Sequence, residues 1–266
     1  MSFSISGKTA IVTGAADGIG LSIARYLADQ GANVMCADAN EKQLMKSLGD
    51  EPEDGNIRVF AGDLRQRLTI ANLISATIDA FEQVDILVNA SRQFIVTDAL
   101  DVEDTSVATL LDQNLMTALR LSQQVAKRMM KQAEEQPEGQ IGSIINLCSI
   151  TARQTHPDLM GYSIASAAVQ QMTRSLALSL APHRIRVNAI SFGSVMSASL
   201  KEAVAENREW RNDIRSHTPL GRIAAPNELC GAVGFLATDN SAFMTGEVMV
   251  VDGGRSLLDV VKAPAH

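Results

Sequence analysis

Thr13-Gly-Ala-Ala-Asp-Gly-Ile-Gly20 is the stretch from which the fold of this 266-residue chain is read. It follows a short β-rich run, Thr9-Ala-Ile-Val-Thr13. It opens a segment in which Ile19, Ile23 and Leu27 recur at helical spacing until Gly31. Gly14, Gly18 and Gly20 give the pattern G-x-x-x-G-x-G, which is neither G-x-G-x-x-G nor a P-loop, because no Gly-Lys-Ser/Thr follows. A glycine allows the turn out of the strand. Another lets the backbone approach a pyrophosphate, and the helix N-terminus supplies free N–H groups and a positive dipole end. Asp38 stands 18 residues beyond Gly20, at the end of the next strand. An acid there accepts hydrogen bonds from the adenosine ribose hydroxyls and repels a 2′-phosphate. Ala15, Ala16 and Ala39 offer no cation to offset that repulsion, so NAD is expected over NADP.

Outward from this loop, short apolar runs alternate with longer helical patterns. Strands are expected at Thr9–Thr13, Asn33–Ala37, Ile57–Ala61, Asp85–Asn89, Ile141–Leu147, Arg186–Ile190 and Glu247–Val251. Helices are expected at Ala71–Phe81, Thr105–Lys131 and from about Tyr162 to Leu180, with a polar loop over Ala133–Gly139. Such alternation implies an α/β fold, a doubly wound parallel sheet of about seven strands with right-handed crossovers and helices on both faces. Continuous apolar strands such as Ile86-Leu-Val88 fit a sheet covered on both sides. No repeat, low-complexity tract or linker divides the chain, so residues 1–266 read as one domain.

Composition narrows the function. Lys+Arg is 23 against Asp+Glu 30, a net charge of −7, which leaves no basic surplus for a nucleic-acid backbone. Hydrophobic residues at 46% and charged residues at 20% describe an ordinary globular chain. No run of about 20 apolar residues offers a membrane span. Met1–Lys8 lacks a basic region followed by an apolar run, so no signal peptide is read there. Cys36, Cys148 and Cys230 are scattered, with no C-x-x-C pair, so neither a metal site nor a disulfide framework is expected. A reducing, cytoplasmic setting is the expectation.

Several blocks in order resemble the short-chain dehydrogenase/reductase family, over essentially the whole length. They are the Thr13–Gly20 loop, Asp63, Asp85-Ile-Leu-Val-Asn89, Asn114, Ser149, Tyr162, Ile185-Arg-Val-Asn-Ala-Ile190 and Val250-Val-Asp-Gly-Gly254. Ser149 and Tyr162 stand 13 residues apart, the family's spacing. The resemblance implies a Rossmann-like fold and hydride transfer between a nicotinamide and a small alcohol or carbonyl substrate. It assigns the hydroxyl proton to Tyr162, the substrate oxygen to Ser149 and a water of the proton relay to Asn114. It assigns the cofactor to Gly14, Asp17, Gly18, Ile19, Gly20, Asp38, Asp63, Leu64 and Asn89. It also implies a homodimer or homotetramer. The Tyr162–Leu180 segment fits, with Ala165, Ala167, Ala168, Val169, Met172, Leu176 and Leu180 apolar nearly all round.

The pattern breaks at three places. The family's lysine four residues after the tyrosine is Ser166 here; the N-N-A-G block reads Asn89-Ala-Ser-Arg92; and Pro-Gly after the sixth strand reads Phe192-Gly193. A free tyrosine titrates near pH 10, so a phenol acting near neutrality needs a neighbouring cation. Arg174 is about 18 Å along the helix from Tyr162, too far to serve. Arg92 and Arg153 follow strand ends on the cofactor side, from which either could point inward as the missing cation, but exposed surface positions are expected for both. Two readings follow, an NAD-linked oxidoreductase or a non-catalytic dinucleotide-binding protein that kept the fold. No G-x-S-x-G occurs to support a serine hydrolase. Residues 194–220 are expected to form a lid carrying Met196, Leu200 and Trp210, packed onto the body.

Overall fold

The computed structural model describes residues 4–49, 51, 54–134, 136, 138–259 and 261. Met1–Phe3 of the expected N-terminal reading, and Glu135 and Pro137 of the expected polar loop, lie outside the described residues. Seven parallel strands form one sheet in the order β3-β2-β1-β4-β5-β6-β7. They are β1 (Thr9–Thr13), β2 (Asn33–Asp38), β3 (Ile57–Ala61), β4 (Ile86–Asn89), β5 (Gly142–Ser149), β6 (Ile185–Phe192) and β7 (Val248–Val251). The order runs one way from β1 to β3 and the other way from β4 to β7. The reversal between β1 and β4 opens the crevice at which doubly wound sheets bind ligands.

Helices cover both faces: α1 (Gly18–Asp29), α2 (Glu41–Leu48), α3 (Arg67–Phe81), α4 (Ser106–Leu110), α5 (Thr117–Gln132), α6 (Met160–Leu180), α7 (Ala198–Glu206), α8 (Arg208–Ser216) and α9 (Cys230–Ala237). Every residue of β1 is buried, and alternate side chains serve opposite cores. Ala10 and Val12 pack with Ile23, Leu27, Leu44 and Val233 under α1, α2 and α9. Ile11 packs with Ile70, Leu73, Leu121 and Val125 under α3 and α5. The three cysteines are buried and free. Burial pushes the Cys36 thiol up to about 12 and those of Cys148 and Cys230 to about 11, so none offers a ready thiolate.

The long helix expected over Thr105–Lys131 is interrupted. Between α4 and α5, Leu111–Met116 forms a π-helical turn, which a pattern of apolar residues does not reveal. The segment expected to form a lid holds α7 and α8, with a parallel bridge between Val195 and Ala224. Its packing departs from expectation at Trp210, which is 53% exposed. Among the described residues no helix is long and apolar enough to cross a membrane, and no cluster of His, Cys, Asp or Glu could hold a metal ion.

Candidate active site

The glycine loop leaves β1 at the crevice. Gly14 takes a left-handed φ of 68°, and a Cβ there would lie 2.8 Å from the Ser91 Cα. A Cβ on Gly20 would collide with the Gly14 carbonyl oxygen. Both glycines are therefore demanded by the turn and by the neighbouring β4 loop. Asp17 caps α1 without a side-chain cap bond. The first-turn N–H groups at Gly18, Ile19 and Gly20 lie beyond the reach of the helical ladder and face the crevice end of the dipole. Asp38 holds the loop from the side, its carboxylate accepting from Ala16 N at 3.1 Å and Asn40 N at 2.8 Å. Burial, Asp38 and Glu202 of α7 together hold the Asp17 carboxyl above the ordinary carboxylate range. Three acids thus face the loop from three elements.

Asp63 lies at the end of the β3 loop, in a fork of hydrogen bonds from Arg65 at 2.7–3.0 Å, which lowers its proton affinity. Leu64 beside it is buried. Asn89 turns inward. Its amide donates to Ser122 Oγ at 3.0 Å and Asn146 Oδ1 at 2.8 Å, and Asn146 donates on to Thr173 Oγ1 at 2.9 Å. This buried chain of polar groups braces β4 and β5 against α5 and α6.

Ser149 ends β5 and Tyr162 begins α6, both nearly buried. Ser149 Oγ accepts from Thr151 N at 3.2 Å. Tyr162 packs with Leu110 and Ala165, and the Phe94 ring meets its edge at 5.5 Å between centroids and 64° between planes. Ser166, one turn on, is buried beside a cavity of about 20 Å³ also lined by Tyr162, Asn114 and Arg92. That space admits about one water.

The expectation for Arg92 is overturned. Its guanidinium turns into the site, donating from Nη1 to the Tyr162 phenol oxygen at 2.8 Å and lying over the Phe192 ring at 4.3 Å. Arg153 is exposed, as expected. The sequence offered Arg92 as a candidate cation but could not choose its inward position, because Tyr162 is 70 residues away and sequence spacing pairs side chains only within one helix or strand. The β4 loop that carries it is tied down on both sides. Thr13 Oγ1 accepts from Ala90 N at 3.1 Å and Ser91 N at 3.0 Å. Asn114, in the π turn, accepts from Gln93 N at 2.7 Å and donates to Gln93 O at 2.9 Å. The Asn114 amide is thus engaged on the loop backbone, next to Arg92 and Phe94.

Comparison with known proteins agrees with this geometry. The family model described as enoyl-(acyl carrier protein) reductase matches residues 14–256. The 3-oxoacyl-[acyl-carrier-protein] reductase FabG of Rickettsia prowazekii is 32% identical over 254 residues, 96% of this chain and 99% of that protein. The L-rhamnose 1-dehydrogenase (NAD(P)(+)) of a Sphingomonas species is 32% identical over 257 residues, 94% of this chain and 96% of that one. The crystal structure of a gluconate 5-dehydrogenase from Burkholderia cenocepacia, in complex with NADP and tartrate, superposes with a TM-score of 0.84 at 28% identity, covering 97% of this chain and 98% of that one. With the glycine loop, the serine and the tyrosine at the carboxyl ends of a seven-stranded parallel sheet, the chain belongs to the short-chain dehydrogenase/reductase family of oxidoreductases.

Proposed function

We propose that this protein is an NAD-dependent oxidoreductase that interconverts a small alcohol and its carbonyl compound. The observation that carries the cofactor choice is the pair Asp38 and Asp17. The two carboxyls repel each other, so a further negative charge beside Asp38, such as a 2′-phosphate, is disfavoured there. The glycine loop fits a dinucleotide, since the positions a Cβ would fill are glycines and the first turn of α1 presents its N–H groups. Gly14, Asp17, Gly18, Ile19 and Gly20 hold the pyrophosphate and Asp38 the adenosine ribose. Asp63 and Leu64 flank the adenine, and Asn89 keeps the strand end in place. When bound, the nicotinamide gives or takes the hydride. Ser149 holds the substrate oxygen by its hydroxyl, and Tyr162 gives or takes the proton of that oxygen. Relatives that are reductases and dehydrogenases support this class of reaction.

Calorimetric titration tests the cofactor. NADH should bind more tightly than NADPH, and Asp38→Ala should narrow the gap; tighter binding of NADPH would overturn the choice. A pyrophosphate beside Asp17 favours its protonated form, whose proton affinity is already raised. Binding then takes up a proton, so NADH affinity should rise as pH falls toward the raised pKa of Asp17, and Asp17→Asn should flatten that slope. Turnover of NAD against a panel of alcohols, or of NADH against carbonyls, tests the reaction. Ser166 in place of a lysine favours a second reading, a non-catalytic dinucleotide-binding protein, which predicts tight binding without turnover on any panel member.

For the assembly we propose a homodimer or homotetramer. Helix α6 buries Ala165, Val169 and Met172 against its own chain yet exposes Ile164 and Leu178, the latter at 79%. A second copy packed on this side would cover them. Light scattering at micromolar concentration should give a multiple of the chain mass, and a monomer would refute the assembly.

A further inference from the structure

The three departures from the family pattern meet at one phenol. Ser166 lies one helical turn from Tyr162, Arg92 reaches the phenol oxygen from the β4 loop, and Phe192 lies against the Arg92 guanidinium. We infer that Arg92 is the cation that stabilises charge on the Tyr162 oxygen in this protein, so that the site is rebuilt around an arginine from the β4 loop. The inference rests on the oxidoreductase reading above and names the group that makes Tyr162 competent within it.

Four observations support it. The hydrogen bond at 2.8 Å joins a full positive charge to the phenol oxygen, and such charge-assisted bonds are about twice as strong as neutral ones. Tyr162 is 7% exposed and Arg92 half-buried, so water screens the pair less than it would at the open surface. The Phe192 ring at 4.3 Å takes the face of the guanidinium and fixes its plane by cation–π attraction. Finally, Thr13 and Asn114 anchor the residues on both sides of Arg92, so its position does not depend on the side chain alone.

The chemistry differs from that of an ammonium in one respect. A guanidinium keeps its charge and all its protons through the working range of proteins. Arg92 therefore transfers no proton. In alcohol oxidation the Tyr162 oxygen takes the substrate hydroxyl proton, the carbinol hydrogen would pass with its electron pair to an oxidised nicotinamide held at the glycine loop, and the Tyr162 proton then leaves from the phenol to water. In carbonyl reduction these steps reverse. Because the phenol oxygen accepts from Arg92, its own O–H is free to point at the substrate. Arg92 acts through Tyr162, as its electrostatic and positioning partner.

The chain has two tyrosines, so in a Tyr26→Phe background the phenolate absorbance reports Tyr162 alone, without cofactor or substrate. Adding Arg92→Met should move the appearance of that absorbance to higher pH, and Arg92→Lys should move it less. Arg92→Gln replaces the methionine variant if melting shows that variant unfolded. In the active enzyme the same change should lower kcat by about tenfold or more near neutrality and shift the pH profile upward, with the KM for the dinucleotide little altered. Coincident titrations with and without the guanidinium would overturn the inference. So would a variant that binds NADH more tightly and turns over faster, because Arg92 would then be an obstruction. A shifted titration in a protein inactive on every panel substrate would sink the oxidoreductase reading and leave the Arg92–Tyr162 pairing standing.

Discussion

Ser166 is buried beside a cavity with room for about one water, and Arg92 already occupies the phenol oxygen next to it. Restoring a lysine by Ser166→Lys alone would therefore force a long charged side chain into a small space beside a second cation. Both the crowding and the like charge oppose it. The single variant should melt lower than the parent and gain no turnover. Arg92→Gly with Ser166→Lys should recover both, since it removes the competing cation and restores the family's pair. A single variant that folds normally and runs faster would show that the lysine's place is still open. Ser149 and Tyr162 were singled out by the family's spacing of 13 residues, and they do fall at a strand end and in the first turn of a helix. The glycine loop and Asp38 were legible because strand, turn and helix follow each other closely in the chain. The inward turn of Arg92 was not, nor was the engagement of Asn114 with Gln93, because each depends on how two loops approach across the crevice.

At the scale of elements, Arg186 shows how β6 and α9 are joined. Its guanidinium reaches past the sheet to the C-terminal end of α9, donating to Leu236 O at 2.8 Å, Thr238 O at 3.2 Å and Ser241 Oγ at 2.8 Å, while its Nε donates to Gln140 Oε1. Burial pulls its proton affinity down, to about 10. Carbonyls at a helix end carry the negative pole of the dipole, so a cation there is well placed. Leu236 O and Thr238 O also accept from Ser143 and Ser241, so Arg186→Met removes the charge-assisted bonds without stripping these carbonyls of every donor, and should cost about 2–4 kcal/mol. Thermal melting should then drop by roughly 5–10 °C at this chain length, and an unchanged midpoint would contradict the account. Helix α9 was not read from the sequence because Cys230-Gly-Ala-Val-Gly-Phe-Leu-Ala237 is apolar on every side and holds two glycines, so no amphipathic period marks it. Helix α2 escaped because only Leu44 and Leu48 of its eight residues are buried. The inner strands β1, β4, β5 and β6 were plainer, since burial on both faces keeps each of them a short, mostly apolar run.

For the whole molecule, alternation of strand and helix was enough to give the doubly wound sheet and its single domain, whereas the strand order, and with it the crevice between β1 and β4, came with the structure. The alternation also left open how firmly the two loops at that crevice are joined. The β4 loop lies at the surface, and Gln93 and Phe94 are exposed. Yet the amides of Ala90, Ser91 and Gln93 bond to side chains of β1 and of the π turn. An amide exchanges its hydrogen only when its bond opens, and here opening requires separating elements that belong to the core. The three amides should exchange with deuterated water as slowly as neighbouring strand amides, whereas ordinary exposed loops exchange at once. Thr13→Val should release Ala90 and Ser91 while leaving Gln93 protected, and Asn114→Ala should do the reverse. The segment that carries Arg92 would then be among the last parts of the surface to loosen and would meet its ligand already set, rather than being ordered by it.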